Sequence, residues 1–165
     1  MSSVRAILIS GLVASLVMGM WQMIMEAVLP SGAGFFGPLI AMGATVVRDL
    51  QGAANPLPFD LGAFILGAAG HMMNSVILAA IFGLLLGRYV GGWVAGLVIG
   101  MVYAVAVFVV MWFVVVPLVD PLMLNVSGVV FFIGHLMWGA ALGLLWAAFG
   151  QRHQAGSGEL AAMPR

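Results

Sequence analysis

Residues 126–149 read VSGVVFFIGHLMWGAALGLLWAAF, a run without one Asp, Glu, Lys or Arg. About 20 consecutive apolar residues cross a bilayer as a helix, and this run is long enough. Inside hydrocarbon each backbone N–H and C=O must pair within its own segment, so the run is predicted to be helical. Three more stretches, near 6–29, 61–86 and 90–117, are long and apolar enough on the same grounds. Of the 165 residues, 64% are hydrophobic and 6% charged, where a soluble domain has roughly 25% charged. A domain this small could not bury so much apolar surface in water. The expected fold is an all-α membrane protein with four transmembrane helices in residues 1–150.

The quoted run has a counterpart. Gly134-His135-Leu136-Met137 matches Gly70-His71-Met72-Met73, and the interval from His135 to Arg152 equals that from His71 to Arg88. This doubling predicts two repeated helical hairpins about a pseudo-two-fold axis, with one histidine from each. Spans one and three match only loosely, through Gly11-Leu12-Val13 against Gly96-Leu97-Val98.

Arginine positions predict the orientation. Arg5, Arg88, Arg152 and Arg165 fall on one side of the four spans and Arg48 alone on the other. Cytoplasmic loops hold the excess of Lys and Arg, so both termini are expected in the cytoplasm of a prokaryote, with the protein in its plasma membrane. The first span is too long for a signal-peptide core and no Ala-x-Ala site follows it, so it reads as retained. The first loop, 30–60, contains Phe35-Phe36-Gly37-Pro38-Leu39-Ile40, apolar but too short to span. It predicts an interfacial or re-entrant helix with Pro38 in the first turn and Arg48 and Asp49 near its end. Residues 151–165, rich in Gly, Ser and Ala, are expected to be a disordered cytoplasmic tail.

Small residues recur every fourth position: Gly67, Ser75, Ala79, Gly83 and Gly87 with His71 in span two, and Gly139, Gly143 and Ala147 with His135 in span four. Such rows let helix backbones approach closely where lipid supplies no hydrophobic force between helices. They place both histidines toward protein.

Ionisable groups within the spans are His71, His135 and Glu26. Burying them in a membrane is costly, so each is a candidate functional residue. At 1.5 Å per residue both histidines lie roughly 14–15 Å below the outer face. Gln22, Glu26, Asn74 and Ser75 would supply polar neighbours. Two imidazoles at one depth could ligate haem b, with Gly70, Gly134 and Gly139 leaving room for the porphyrin. A metal ion is the next ligand considered. Thioethers from Met73 and Met137 would join His71 and His135 in a soft set suited to Cu(I), although Met also fills apolar gaps. A proton relay or small transporter, and a structural or assembly subunit of a larger membrane complex, are the other readings.

Zero cysteines exclude disulfides, thiolate metal sites and c-type haem attachment. No basic cluster suits nucleic acid. No nucleophile–base pair or phosphate loop is present, so an enzyme is not expected. The lipid bilayer is the expected partner, with a homo-oligomer or larger complex beside it. Gly37-Pro38-Leu39-Ile40-Ala41, Pro58-Phe59-Asp60-Leu61-Gly62, His71-Met72-Met73-Asn74-Ser75 and His135-Leu136-Met137-Trp138-Gly139, in that order, resemble a family of small four-helix prokaryotic membrane proteins. The resemblance implies an integral membrane protein and no particular activity.

Overall fold

The computed structural model describes the backbone of residues 3–161 and the side chains of residues 4–149. Among these, four helices are long and apolar enough to cross a membrane: Val4–Val28, Leu61–Leu85, Trp93–Val119 and Gly128–Phe149. The chain is an integral membrane protein with four spans. Its lipid-facing surfaces carry exposed Leu16, Ile77, Val102 and Val129.

The elements are α1 (Ser3–Val28), α2 (Gly37–Gly43), α3 (Leu61–Leu85), α4 (Trp93–Val110), α5 (Val116–Val119) and α6 (Gly128–Ala161). Asp60 begins α3 by accepting the Ala63 N–H at 2.7 Å, the usual N-cap bond. A five-residue π-helical segment, Met111–Val115, joins α4 to α5 within the third span. Its cause is Pro117, which has no N–H for the ladder and whose ring would strike the carbonyl four residues back. The wider turn instead lets Val116 N–H reach the Met111 carbonyl.

The spans form a ring in the order α3, α1, α6, α4, with neighbours antiparallel. Missing side chains set the close approaches. A Cβ on Gly11 of α1 would come within 2.8 Å of Val76 Cα in α3. Between α4 and α6, Gly96 and Gly100 lie against the backbone of Gly143 and Gly139. Helices α3 and α4, although consecutive, touch chiefly at one level. There the Tyr103 hydroxyl donates to the Leu78 carbonyl at 3.0 Å, and the Phe82 and Tyr103 rings pack at 5.4 Å.

Helix α2 lies at one end of the bundle, the loop end. This first-loop helix is shorter than the sequence suggests. It stops at Gly43, and Arg48 and Asp49 open a separate 3-10 turn, Arg48–Gly52. The stop coincides with tight packing, because Gly43 lies against the Ala63 carbonyl and Gly67 against the Leu39 carbonyl. Pro38 is in the first turn, as its fixed φ favours. With Gly37, Pro38, Ile40, Ala41 and Gly43 buried, α2 is packed onto α3. At the other end of the chain α6 continues to Ala161, into the segment 151–165 expected to be a tail. Residues 162–165 and the side chains beyond Phe149 lie outside the described residues.

Candidate functional site

Toward the loop end from the Tyr103–Leu78 contact, α3 and α4 diverge, and a cavity of about 360 Å³ lies between them. Every span contributes to its wall: Gln22 from α1, His71 from α3, Val107 from α4 and His135 from α6. Trp138 and Leu78 line it near the level of Tyr103, while Thr45 and Asp120 line it at the loop end. Leu66 and Met73 of α3 and Val119 of α5 border it with exposed side chains, 64% for Met73. The opening therefore faces lipid between α3 and the third span.

Backbone carbonyls set the chemistry of both histidines. His71 sends Nε2–H across to the Ser15 carbonyl of α1 at 3.1 Å, with its ring beside Gly19. His135 sends Nδ1–H back to the Phe131 carbonyl of its own helix at 2.8 Å. Its ring lies between Phe131, at 4.4 Å, and Phe108, at 5.7 Å. A carbonyl only accepts, so each neutral ring keeps one lone pair, on Nδ1 of His71 and Nε2 of His135. The two rings share a cavity wall but are not the equivalent pair that the repeat suggested. His135 is buried and His71 is half-buried. They differ because α1 offers a carbonyl beside a glycine, whereas the Phe108 and Phe131 rings enclose His135.

The other expected polar residues divide into two groups. Gln22 and Asn74 line the cavity. Gln22 is 4% exposed and its Nε2 has no hydrogen-bond partner. Such a donor is costly to leave unpaired in an apolar surrounding. Ser75 also borders the cavity, but its hydroxyl is fully engaged: it accepts from Trp138 Nε1–H at 2.7 Å and donates to the Gly11 carbonyl at 2.7 Å. Glu26 is absent from the wall and serves the backbone. Its two carboxylate oxygens accept the N–H groups of Ala33, at 2.9 Å, and Ser127, at 2.8 Å.

The residues expected to make room for porphyrin are placed differently from one another. Gly70 borders the cavity, and a Cβ added to it would meet only Met42 Cε, at 3.7 Å. Gly134 is covered by Met18, Trp21 and Gln22 of α1, and Gly139 by Gly100 and Ala104 of α4. Those two glycines serve helix packing. Of the methionines expected to join a metal set, Met73 is at the cavity mouth, and Met137 is outside the wall. Among the described residues, no three His, Cys, Asp or Glu side chains could together hold a metal ion.

Asp120, Trp138 and Thr45 were not among the expected site residues. The Asp120 carboxylate accepts from Gln51 Nε2–H at 2.9 Å. Gln51 Oε1 accepts the Leu122 N–H at 3.2 Å, and Arg48 donates to the Val119 carbonyl at 3.2 Å. This cluster ties the first loop to the turn before α6. Burial pushes the Asp120 carboxyl up, against the hydrogen bond from Gln51 and the charge of Arg48. The available signal was an acidic residue flanked by Pro117 and Pro121 between two spans.

No protein family model, curated protein or solved structure matches the chain. The four long apolar helices are consistent with a small four-span membrane protein, and no family is identified.

Proposed function

We propose that this membrane protein binds a small lipid-soluble molecule in the cavity between α3 and α4, without transforming it. The cavity of about 360 Å³, with Gln22, His71 and His135 set in a largely apolar wall, carries the reading. The volume falls within the 300–1,000 Å³ of common small-molecule pockets, and a mostly apolar wall with few polar groups is their usual character. The mouth between α3 and the third span lets a ligand enter from the bilayer. The five-residue π segment that contributes Met111 and Val115 to the wall is of a kind often found at functional sites.

In this reading the loop end faces outward from a prokaryotic plasma membrane and both termini are cytoplasmic, because Arg48 alone lies at the loop end. Haem b, bound between His71 and His135, is the weaker ligand: α1 and α4 occupy the space at Gly134 and Gly139, and His71 Nε2 is engaged with Ser15. A second reading, Cu(I), draws on Met18, Met42, Met73, Met111 and Met123, which line the cavity with both imidazoles.

The test is solvent extraction and mass spectrometry of protein purified in lipid nanodiscs, with metal analysis and a visible spectrum on the same sample. A small molecule retained by the native chain and lost from Leu78→Trp, whose larger side chain intrudes on the cavity, is the expected result. One equivalent of copper selects the second reading. A colourless, metal-free sample that retains nothing and is unchanged by Leu78→Trp overturns both and leaves a structural subunit.

A further inference from the structure

We infer that the ligand is a membrane phospholipid with a zwitterionic headgroup. Arg48 holds its phosphate at the loop end, and one acyl chain enters the cavity between α3 and α4. The inference rests on the reading of the cavity as a binding site and names the class of its ligand.

Two contacts fix the Arg48–Gly52 turn over the loop end of the cavity. Arg48 Nη1–H donates to the Val119 carbonyl at 3.2 Å, and Gln51 Nε2–H donates to Asp120 at 2.9 Å. Val119 and Asp120 both line the cavity, and Val119 is also the last residue of the third span. The guanidinium is therefore held where hydrocarbon gives way to headgroups, at the mouth that opens to lipid. Arg48 is exposed, and a guanidinium presents five N–H donors in a fork that suits phosphate oxygens.

The cavity below has the proportions of a chain. From Leu66 to Leu78, both in its wall, α3 rises about 18 Å at 1.5 Å per residue. One leaflet holds about 15 Å of hydrocarbon, half the bilayer core. Val107, Met111 and Met123 continue the apolar wall opposite α3.

Charge selects the headgroup. Among the described residues, the loop end sets Arg48 against Glu26, Asp49, Asp60 and Asp120. Glu26, Asp60 and Asp120 accept hydrogen bonds from the protein, and Asp49 is exposed beside Arg48. A headgroup of net negative charge meets one cation among several carboxylates. A phosphate joined to an ammonium offers each sign its opposite.

The full chain is reconstituted in an equimolar mixture of dioleoyl phosphatidylethanolamine, dioleoyl phosphatidylglycerol and dioleoylglycerol, then moved into mild detergent. Lipids that stay bound are counted by native mass spectrometry. Phosphatidylethanolamine is expected to be retained about tenfold over dioleoylglycerol, since a charge-assisted hydrogen bond to phosphate is lost with the latter. Arg48→Gln should remove that preference, with retained dioleoylglycerol showing that the variant still holds its cavity. Leu78→Trp should reduce retention of every lipid, and excess inorganic phosphate should displace none. Equal retention of phosphatidylethanolamine and dioleoylglycerol, a preference that survives Arg48→Gln, or displacement by phosphate overturns the Arg48 anchor and leaves the cavity reading in place. Stronger retention of phosphatidylglycerol overturns the zwitterionic headgroup. Retention of no lipid, with no other small molecule extracted, overturns the inference and the cavity reading together.

Discussion

Glu26 at the end of α1 accepts the backbone N–H of Ser127 at 2.8 Å, at the entrance to α6. The first N–H groups of a helix have no partner within it, and a carboxylate there also meets the positive end of the helix dipole. Here the cap comes from a different helix. The other Glu26 oxygen holds Ala33 in the first loop, and beside this seam Trp21 Nε1–H donates to the Val130 carbonyl at 3.1 Å. A buried acid that could be taken for part of a proton path is thereby committed to joining α1, the first loop and α6.

Glu26→Leu should therefore destabilise the bundle by about 2–3 kcal/mol, because one buried and one partly buried N–H donor lose their acceptor. Glu26→Gln keeps one acceptor oxygen and should lose less. Unfolding titrations with sodium dodecyl sulfate in mixed micelles measure both. Equal stability of Glu26→Leu and the native chain would contradict the capping role.

Glycines on the helix rows should differ sharply in tolerance. Gly139→Val forces a branched side chain into the Gly100 backbone and Ala104, and should cost about 2–3 kcal/mol through overpacking. Gly70→Ala meets only the end of the Met42 side chain at 3.7 Å, so its change should stay within about 0.5 kcal/mol. The same unfolding titration compares them.

Asp120 should give the fold a pH dependence. Burial raises its carboxyl above the ordinary 3.8 in the folded state, so folding favours the protonated form. That stabilisation is fully present below 3.8 and is lost as pH rises through the raised folded value. Asp120→Asn keeps an acceptor for Gln51 and removes the ionisation, so its stability should not follow this slope. Melting curves of both proteins across the acidic range measure the difference, and parallel curves would remove Asp120 as the source.

Orientation can be read directly, because the chain has no cysteine. Ala54→Cys, in the exposed first loop, should react with a membrane-impermeant maleimide added to intact cells. Gly91→Cys, exposed between spans two and three, should react only after the membrane is opened. The opposite pattern would place the termini outside.

Much of the architecture was legible in residue order. Span lengths, the short helix of the first loop with Pro38 in its first turn, and the packing role of the small-residue rows are properties of each segment. The site was legible only in part. His71, His135, Gln22 and Asn74 do line one cavity, because polar residues within a span have little choice but to turn inward. The matched histidine pair was not realised, since the repeat specifies the residue type but not which carbonyl each ring meets. Glu26 looked like a functional acid because its partner Ser127 is 101 positions away.

By itself the sequence determined that four segments cross the membrane as helices, because hydrocarbon obliges each apolar segment to satisfy its own backbone. Only the tertiary structure decided which faces meet and where they part. Close α4–α6 and α1–α3 contacts follow from glycines brought opposite their partners across the bundle. The cavity follows from α3 and α4 separating beyond Tyr103 and Leu78. Both depend on pairings between distant residues, which no segment carries alone.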